Sequence, residues 1–247
     1  MKANVTREIS GALSALASPT PATSSSTASS GIINGHDYVD LGLSVKWATC
    51  NVGASSPEGY GDYYAWGETS TKSSYDEDNC ATWKKKIGDI AGTSRDVARV
   101  KWGGSWRMPT LAECQELWGK CTWEWTTRNG VSGNKVTGPN GNSIFLPAAG
   151  SRGRESLLEA GKYGNYWSST PYKGNPCLSH TKAFSGGNLN VLDWHYRSYG
   201  LTVRPVICNK SEACLIYLIY LIYCRAAFKA ARPAVNQARE AGRDVWG

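Results

Sequence analysis

The sequence predicts an α+β fold in which two helices stand among short, mostly antiparallel strands joined by long loops. Three observations predict it. Eleven Trp and thirteen Tyr stand against three Phe, with 27 Gly, an aromatic and loop-rich composition unlike that of a helical bundle. Short runs of alternating apolar and polar residues end at Gly or Asn-Gly through much of the chain. Only two stretches combine a capping residue, an apolar stripe at helical spacing and a stop signal.

Taken in order, Lys2 and Arg7 precede a modest apolar run at residues 9–17, which closes with Ala15-Leu16-Ala17 in the form of a signal-peptide cleavage site. Glu8, Ser10, Gly11 and Ser14 dilute that pattern. Residues 18–30, SPTPATSSSTASS, have almost nothing to bury, so residues 1–30 are expected to be a leader and a linker. The globular domain is expected at residues 31–208. It opens with HDYVDLGLSVKWATCNVG, residues 36–53, whose alternation broken by glycines predicts short strands.

The first helix is expected over residues 94–102, SRDVARVKW, with Ser94 as N-cap, an apolar face of Val97, Val100 and Trp102, and Gly103-Gly104 as the stop. The second lies in MPTLAECQELWGKC. Pro109 holds Met108 extended, Thr110 caps, Glu113 completes a capping box, and Leu111, Cys114, Leu117 and Trp118 form the buried stripe up to the exit at Gly119. Two Asn-Gly pairs then separate β-type runs, so residues 135–137 and 143–146 should form a hairpin. YGNYWSST at residues 163–170 reads as a strand, followed by the short strand TKAF and a turn at Gly186-Gly187. In NVLDWHYRSYGLTVRPV, residues 190–206, a polar and aromatic run flows into GLTVRPV, which reads as a buried strand ended by proline.

Residues 209–247 change character. LIY occurs three times at residues 215–223, and a period of three fits neither a strand face nor a helix face. The apolar run at 213–224 falls short of the roughly 20 residues a membrane-spanning helix needs. This tail, with a basic stretch interrupted at Pro233, is expected to lie outside the fold, and no transmembrane helix is expected.

The net charge of +7 is spread along the chain: residues 209–247 carry +3 (six Lys or Arg, three acids) and residues 1–30 carry +1, leaving +3 for the middle. That is a weak field for a phosphate backbone, and Lys84, Lys85 and Lys86 read as a solvated loop, so nucleic acid is not an expected partner. The cysteines at 50, 80, 114, 121, 177, 208, 214 and 224 form no C-x-x-C, and only His36, His180 and His195 could assist them with a metal, which argues against structural zinc. Their even number fits disulfides in an oxidising compartment, with free buried thiols as the alternative. Asp76, Glu77 and Asp78 are hard oxygen donors, but a solvated acidic loop is the simpler reading. No cofactor or metal is expected.

In sequence order, NGHDYVDLGLSVKWATCNVGA, GDYYAWGET, WGGSWRMPTLAE, NGNSIFLPAAG, YGNYWSST and GLTVRPV together resemble the Fibrobacter succinogenes major paralogous domain family, from about Asn34 to Val206. The resemblance implies a C-type-lectin-like fold related to formylglycine-generating-enzyme-type domains and to the variable proteins of diversity-generating retroelements. WRMPTLAE is similar to the helix start of those relatives and GLTVRPV to their closing strand. In the retroelement proteins, diversified positions arise from adenine-containing codons just before that strand. Here that place is held by DWHYRSY, in which His195, Tyr196, Arg197, Ser198 and Tyr199 are all residues that randomised adenines of an Asn codon can produce, and Trp194 is not.

Four chemistries compete for the site. Formylglycine-generating relatives use copper held by two cysteines; Cys177 and Cys208 are the candidates, but Cys208 follows the last strand instead of preceding it. A hydrolase built from Ser168 or Ser169 with His195 and Asp193 lacks the G-x-S-x-G turn. The E-P-N, Q-P-D and W-N-D signatures of calcium-dependent sugar binding are missing at the matching place. The fourth is recognition: Tyr, Trp, Arg, Ser, Asn and Gly crowd residues 164–199 in proportions resembling a paratope. The expected ligand-binding residues are Tyr172, Lys173, Asn175, Asn188, Asn190, Asp193, His195, Tyr196, Arg197, Ser198 and Tyr199, with Trp167 and Trp194 turned inward. An extended segment would place Asp193, His195, Arg197 and Tyr199 on one face. The expectation is an exported or surface-displayed protein that binds a protein or glycan ligand and makes or breaks no bond. A formylglycine-generating-type oxidase and a structural cell-envelope module are the alternatives.

Overall fold

The computed structural model describes residues 30–186 and 194–209; the leader, Gly187, Asn188, Asn190, Asp193 and the tail lie outside the described residues. The first sheet begins with β1 (Ser30–Ile33), β2 (His36–Val39) and β3 (Val45–Ala48). Two helices follow, α1 (Val97–Trp102) and α2 (Leu111–Lys120). The meander β4 (Thr122–Arg128), β5 (Val131–Thr137) and β6 (Ser143–Pro147) leads into a small ribbon, β7 (Ser151–Gly153) and β8 (Ser156–Leu158). Then come the long pair β9 (Tyr163–Pro171) and β10 (Leu178–Ser185), the short β11 (Trp194–Tyr196), and β12 (Val206–Cys208). They assemble into small sheets in the orders β1-β2-β3-β12, β4-β5-β6, β7-β8 and β11-β10-β9, with every strand pair antiparallel. The described chain is therefore mostly β, with two helices of which one is short.

Local chemistry explains the elements. In α2 the Thr110 hydroxyl accepts from the Glu113 N–H and the Glu113 carboxylate accepts from the Thr110 N–H, the expected capping box, worth about 1 kcal/mol. Cys114 and Leu117 face the core. The helix runs past Gly119 to Lys120. The first helix differs from expectation: it starts at Val97, capped by Asp96 rather than Ser94, and Val100 is 49% exposed while Val97, Ala98 and Trp102 are buried. Asp96 wins because its buried carboxylate serves three backbone donors at once: Arg99 N at 3.1 Å, Gly92 N at 2.7 Å and Met108 N at 2.9 Å. The hairpins follow the Asn-Gly pairs. Asn129 and Gly130, both at positive φ (49° and 79°), form the two-residue loop between Arg128 and Val131, the geometry that matches strand twist. The β5–β6 register pairs Lys135 with Phe145 and Thr137 with Ser143, as expected.

Residues 200–206 correct a second expectation. GLTVRPV is buried throughout, but regular strand begins only at Val206, beyond the proline. Before it the backbone spends its hydrogen bonds singly on many neighbours. Gly200 exchanges with Arg152, Leu201 with Tyr64, and the carbonyls of Thr202, Val203 and Pro205 accept from Trp167, Val52 and Ala48. Arg204, 1% exposed, donates to Asn51 Oδ1 at 2.8 Å and to the carbonyls of Ala48, Thr49 and Phe145. This segment joins the sheets and the two main apolar clusters. One cluster gathers Trp66, Trp106, Met108, Trp167 and Leu201, and the other Leu41, Trp47, Leu146, Phe184 and Val206. The indoles of Trp66, Trp106 and Trp167 donate to the carbonyls of Ser168, Ile33 and Tyr64 at 2.7–2.9 Å, so their burial leaves no donor unpaired.

Candidate ligand-binding face

Strand β11 is an edge strand, paired with β10 through Leu178↔Tyr196, Ser179↔His195 and His180↔Trp194. Alternation sends Trp194 and Tyr196 outward, 38% and 45% exposed, and turns His195 toward Trp167 and Tyr199. The inward placement expected for Trp194 is thereby overturned. His180 opposite it lies with Tyr172 in an aromatic group that Trp194 completes from the outside, its ring 6.3 Å from Tyr172. Burial holds the His195 imidazole below its ordinary pKa, and its Nδ1 has no hydrogen-bond partner.

The alternation stops after three residues. The Tyr199 N–H donates to the Tyr196 carbonyl, closing a turn that carries Arg197 and Ser198 inward, to 1% and 2% exposure. The exposure expected of Arg197 is overturned, and Ser198, expected to contact ligand, is sealed with it. Arg197 Nε donates to the Leu178 carbonyl and Ser179 Oγ at 3.0 and 2.9 Å; its Nη1 donates to the carbonyls of Lys85 and Thr82 at 2.9 and 3.4 Å. Its guanidinium carbon lies 4.2 Å from the centroid of the Trp66 ring, a cation–π contact. Burial lowers its pKa, but a guanidinium remains charged at any ordinary pH.

The remaining expected residues gather around β11. Tyr172 is half-buried against His180 and Trp194; Lys173 is exposed. Asn175 shapes the loop before β10, its Oδ1 accepting from Cys177 N at 2.9 Å. Tyr199 is half-buried between His195 and Tyr196. Trp83 joins this surface, its ring 5.9 Å from Tyr196, although nothing local in the sequence marks it. Two recesses flank the strand. One, of about 580 Å³, is lined by Lys85, Lys86, Asp89, Tyr172, Lys173 and Arg197, among others. The other, of about 390 Å³, is lined by Tyr75, Asp76, Asp78, Arg154, Tyr196 and Tyr199, among others. The acidic loop read as wholly solvated is anchored by Tyr75, 1% exposed, whose hydroxyl donates to the Tyr63 carbonyl. Asp76 is engaged by Asn79 and Ser74, which hold its carboxyl below the usual range.

The competing chemistries find less here. Ser168 Oγ donates to the His180 carbonyl, and Ser169 Oγ and His195 Nδ1 are each buried without a partner, so no Ser–His hydrogen bond is formed. Cys177 lies in the loop before β10, whereas Cys208 ends β12 with its Sγ 3.9 Å from Arg107 Nη2. The six described cysteines, 50, 80, 114, 121, 177 and 208, are free thiols. Among the described residues no three His, Cys, Asp or Glu side chains converge, and no helix is long and apolar enough to cross a membrane. Comparison with protein-family models, with curated proteins and with solved structures finds no match.

Proposed function

We propose that this is a recognition protein, exported or displayed at a surface, with a C-type-lectin-like domain that binds its ligand through the face around β11. One observation carries the reading. Of the large apolar side chains that are exposed among the described residues, the two aromatic ones are Trp194 and Tyr196, side by side on one edge strand. Rigid amphipathic rings on a surface are costly to leave in water and effective in contact, since they offer area at little entropic expense. Tyr172 adds to the Trp194 side of this surface, and Trp83 and Tyr199 to the Tyr196 side.

Within this reading, residues diversified by a retroelement would be the outward Tyr196 and the half-buried Tyr199, while Arg197 and Ser198 would stay constant because the fold buries them. A glycan and protein array probed with the full chain and with the double variant Trp194→Ala/Tyr196→Ala tests the face. The expected result is a ligand retained by the native chain and weakened at least about 10-fold by the variant, since each anchor is worth about 1–2 kcal/mol. Ligands that the double variant holds as well as the native chain would remove the face from consideration.

A further inference from the structure

The recess beside Tyr172 has an unbalanced charge. Lys85, Lys86, Lys173 and Arg197 line it against one carboxylate, Asp89. Asp89 is already engaged: its Oδ2 accepts from the Thr170 hydroxyl at 2.6 Å and its Oδ1 from the Ala91 N–H at 2.9 Å. Among the described residues none of the four cations forms an ion pair. The three lysines are exposed and hydrated, but Arg197 is not; burying a guanidinium without a counter-ion is costly unless something supplies the missing charge. Its Nε and Nη1 are spent on four protein acceptors, whereas Nη2 has no acceptor among the described residues. A guanidinium fixed by those bonds, on a residue that lines a recess of about 580 Å³ together with three lysines, is suited to an oxyanion.

The walls indicate what carries the anion. Tyr172 lines the same recess and stands 6.3 Å, ring to ring, from Trp194, which is 38% exposed, so flat apolar surface adjoins the cationic floor. A pyranose ring presents an apolar C–H face that such rings can cover while its acidic substituent reaches inward. A peptide would seek backbone pairing, for which the free edge of β11 offers three residues among those described. We propose that this recess binds the carboxylate or sulfate of an acidic oligosaccharide, with the sugar ring resting on Tyr172 and Trp194. The proposal rests on the recognition reading and names its ligand class.

Titration of the full-length protein with polygalacturonate, dextran sulfate, neutral dextran and polyglutamate, followed by calorimetry, tests it. Binding is expected for one or both acidic polysaccharides and not for neutral dextran, the stronger of the two identifying carboxylate or sulfate. Affinity should fall as salt is raised from about 50 to 300 mM. Lys85→Glu/Lys86→Glu should weaken binding at least 10-fold and Tyr172→Ala about 5-fold, each with unchanged circular dichroism, while Lys135→Glu on the exposed side of β5 leaves it unchanged. Equal losses in the Lys135 variant would mean diffuse charge attraction and overturn the proposal. Polyglutamate binding that is indifferent to Tyr172→Ala, or no binding of either polysaccharide, would overturn it too. Array ligands lost on Trp194→Ala/Tyr196→Ala, with no acidic polysaccharide bound, would leave the recognition face standing while the anionic recess falls. Acidic polysaccharides weakened by the lysine variant but not by Tyr172→Ala would overturn the seating of the sugar on the aromatic rings.

Discussion

Replacing Arg197 with Met keeps the length of the side chain and removes its charge and donors, which separates a surface contact residue from a structural one. The native guanidinium serves the carbonyls of Leu178, Thr82 and Lys85 and the Ser179 hydroxyl, and packs over Trp66. Orphaning a buried acceptor costs about 1–3 kcal/mol, and the Lys85 carbonyl is close enough to water to recover most of that. Two or three unpaired acceptors and a desolvated cation–π contact of about 2 kcal/mol are offset by relief of the buried charge, leaving a net loss of about 3–5 kcal/mol. With an m-value of about 2 kcal/mol/M in urea, the unfolding midpoint should drop by about 1.5–2.5 M at unchanged slope. Arg197→Lys, which keeps the charge but not the fork, should fall between the two. If Arg197→Met unfolds within about 0.5 kcal/mol of the native chain, as surface substitutions do, the structural role assigned to Arg197 is wrong.

Asp96→Ala removes the cap of α1 and strands the Met108 and Gly92 N–H groups, so a loss of about 2–4 kcal/mol is expected in urea unfolding, and Asp96→Asn should recover part of it. Burial lowers the folded-state pKa of both His36 and His195, so the unfolded chain takes up protons first as the pH falls through about 6.5. Stability should be full above that value and decline toward pH 5, seen as a lower melting temperature; His195→Gln should flatten the decline, and a profile that rises toward pH 5 would contradict it. A thiol reagent should modify exposed Cys208 in the native protein, and Cys208→Ser should remove that equivalent. Cys114, its pKa pushed up to about 12 by burial, should react only after denaturation.

What the sequence showed depended on how far apart the interacting residues lie. The Thr110–Glu113 capping box and the Asn129-Gly130 turn are legible because each is complete within four residues. The start of the first helix is not legible in this way, because the donors that make Asp96 its cap include Met108, twelve residues on. The site divided in the same way. Tyr196 and Lys173 are exposed as read, but Arg197 is held by carbonyls 112 and 115 residues away, which no local pattern reveals. Trp194 and Arg197 exchange places, inside for outside, because alternation defines two faces without saying which is buried, and His195 and Arg197 share the face that packs inward. Asn188, Asn190 and Asp193 lie outside the described residues. The basic recess draws on a lysine loop that the sequence presents only as hydrophilic, and it takes its meaning from Arg197 and Tyr172 beside it.

The scattered pairing of residues 200–206 has a consequence for biosynthesis. Arg204 and Asn51, bonded to each other, are 153 residues apart, and Val52, Tyr64, Arg152 and Trp167 all await backbone partners from the same late segment. The early strands leave the ribosome long before the residues that join them are made. Closure is therefore a late event, expected to be slow because distant contacts must form after much of the chain entropy is already lost. Until it happens the aromatic clusters lie open, and a nascent chain stopped short of residue 200 would be one for chaperones or proteases rather than a partly working domain.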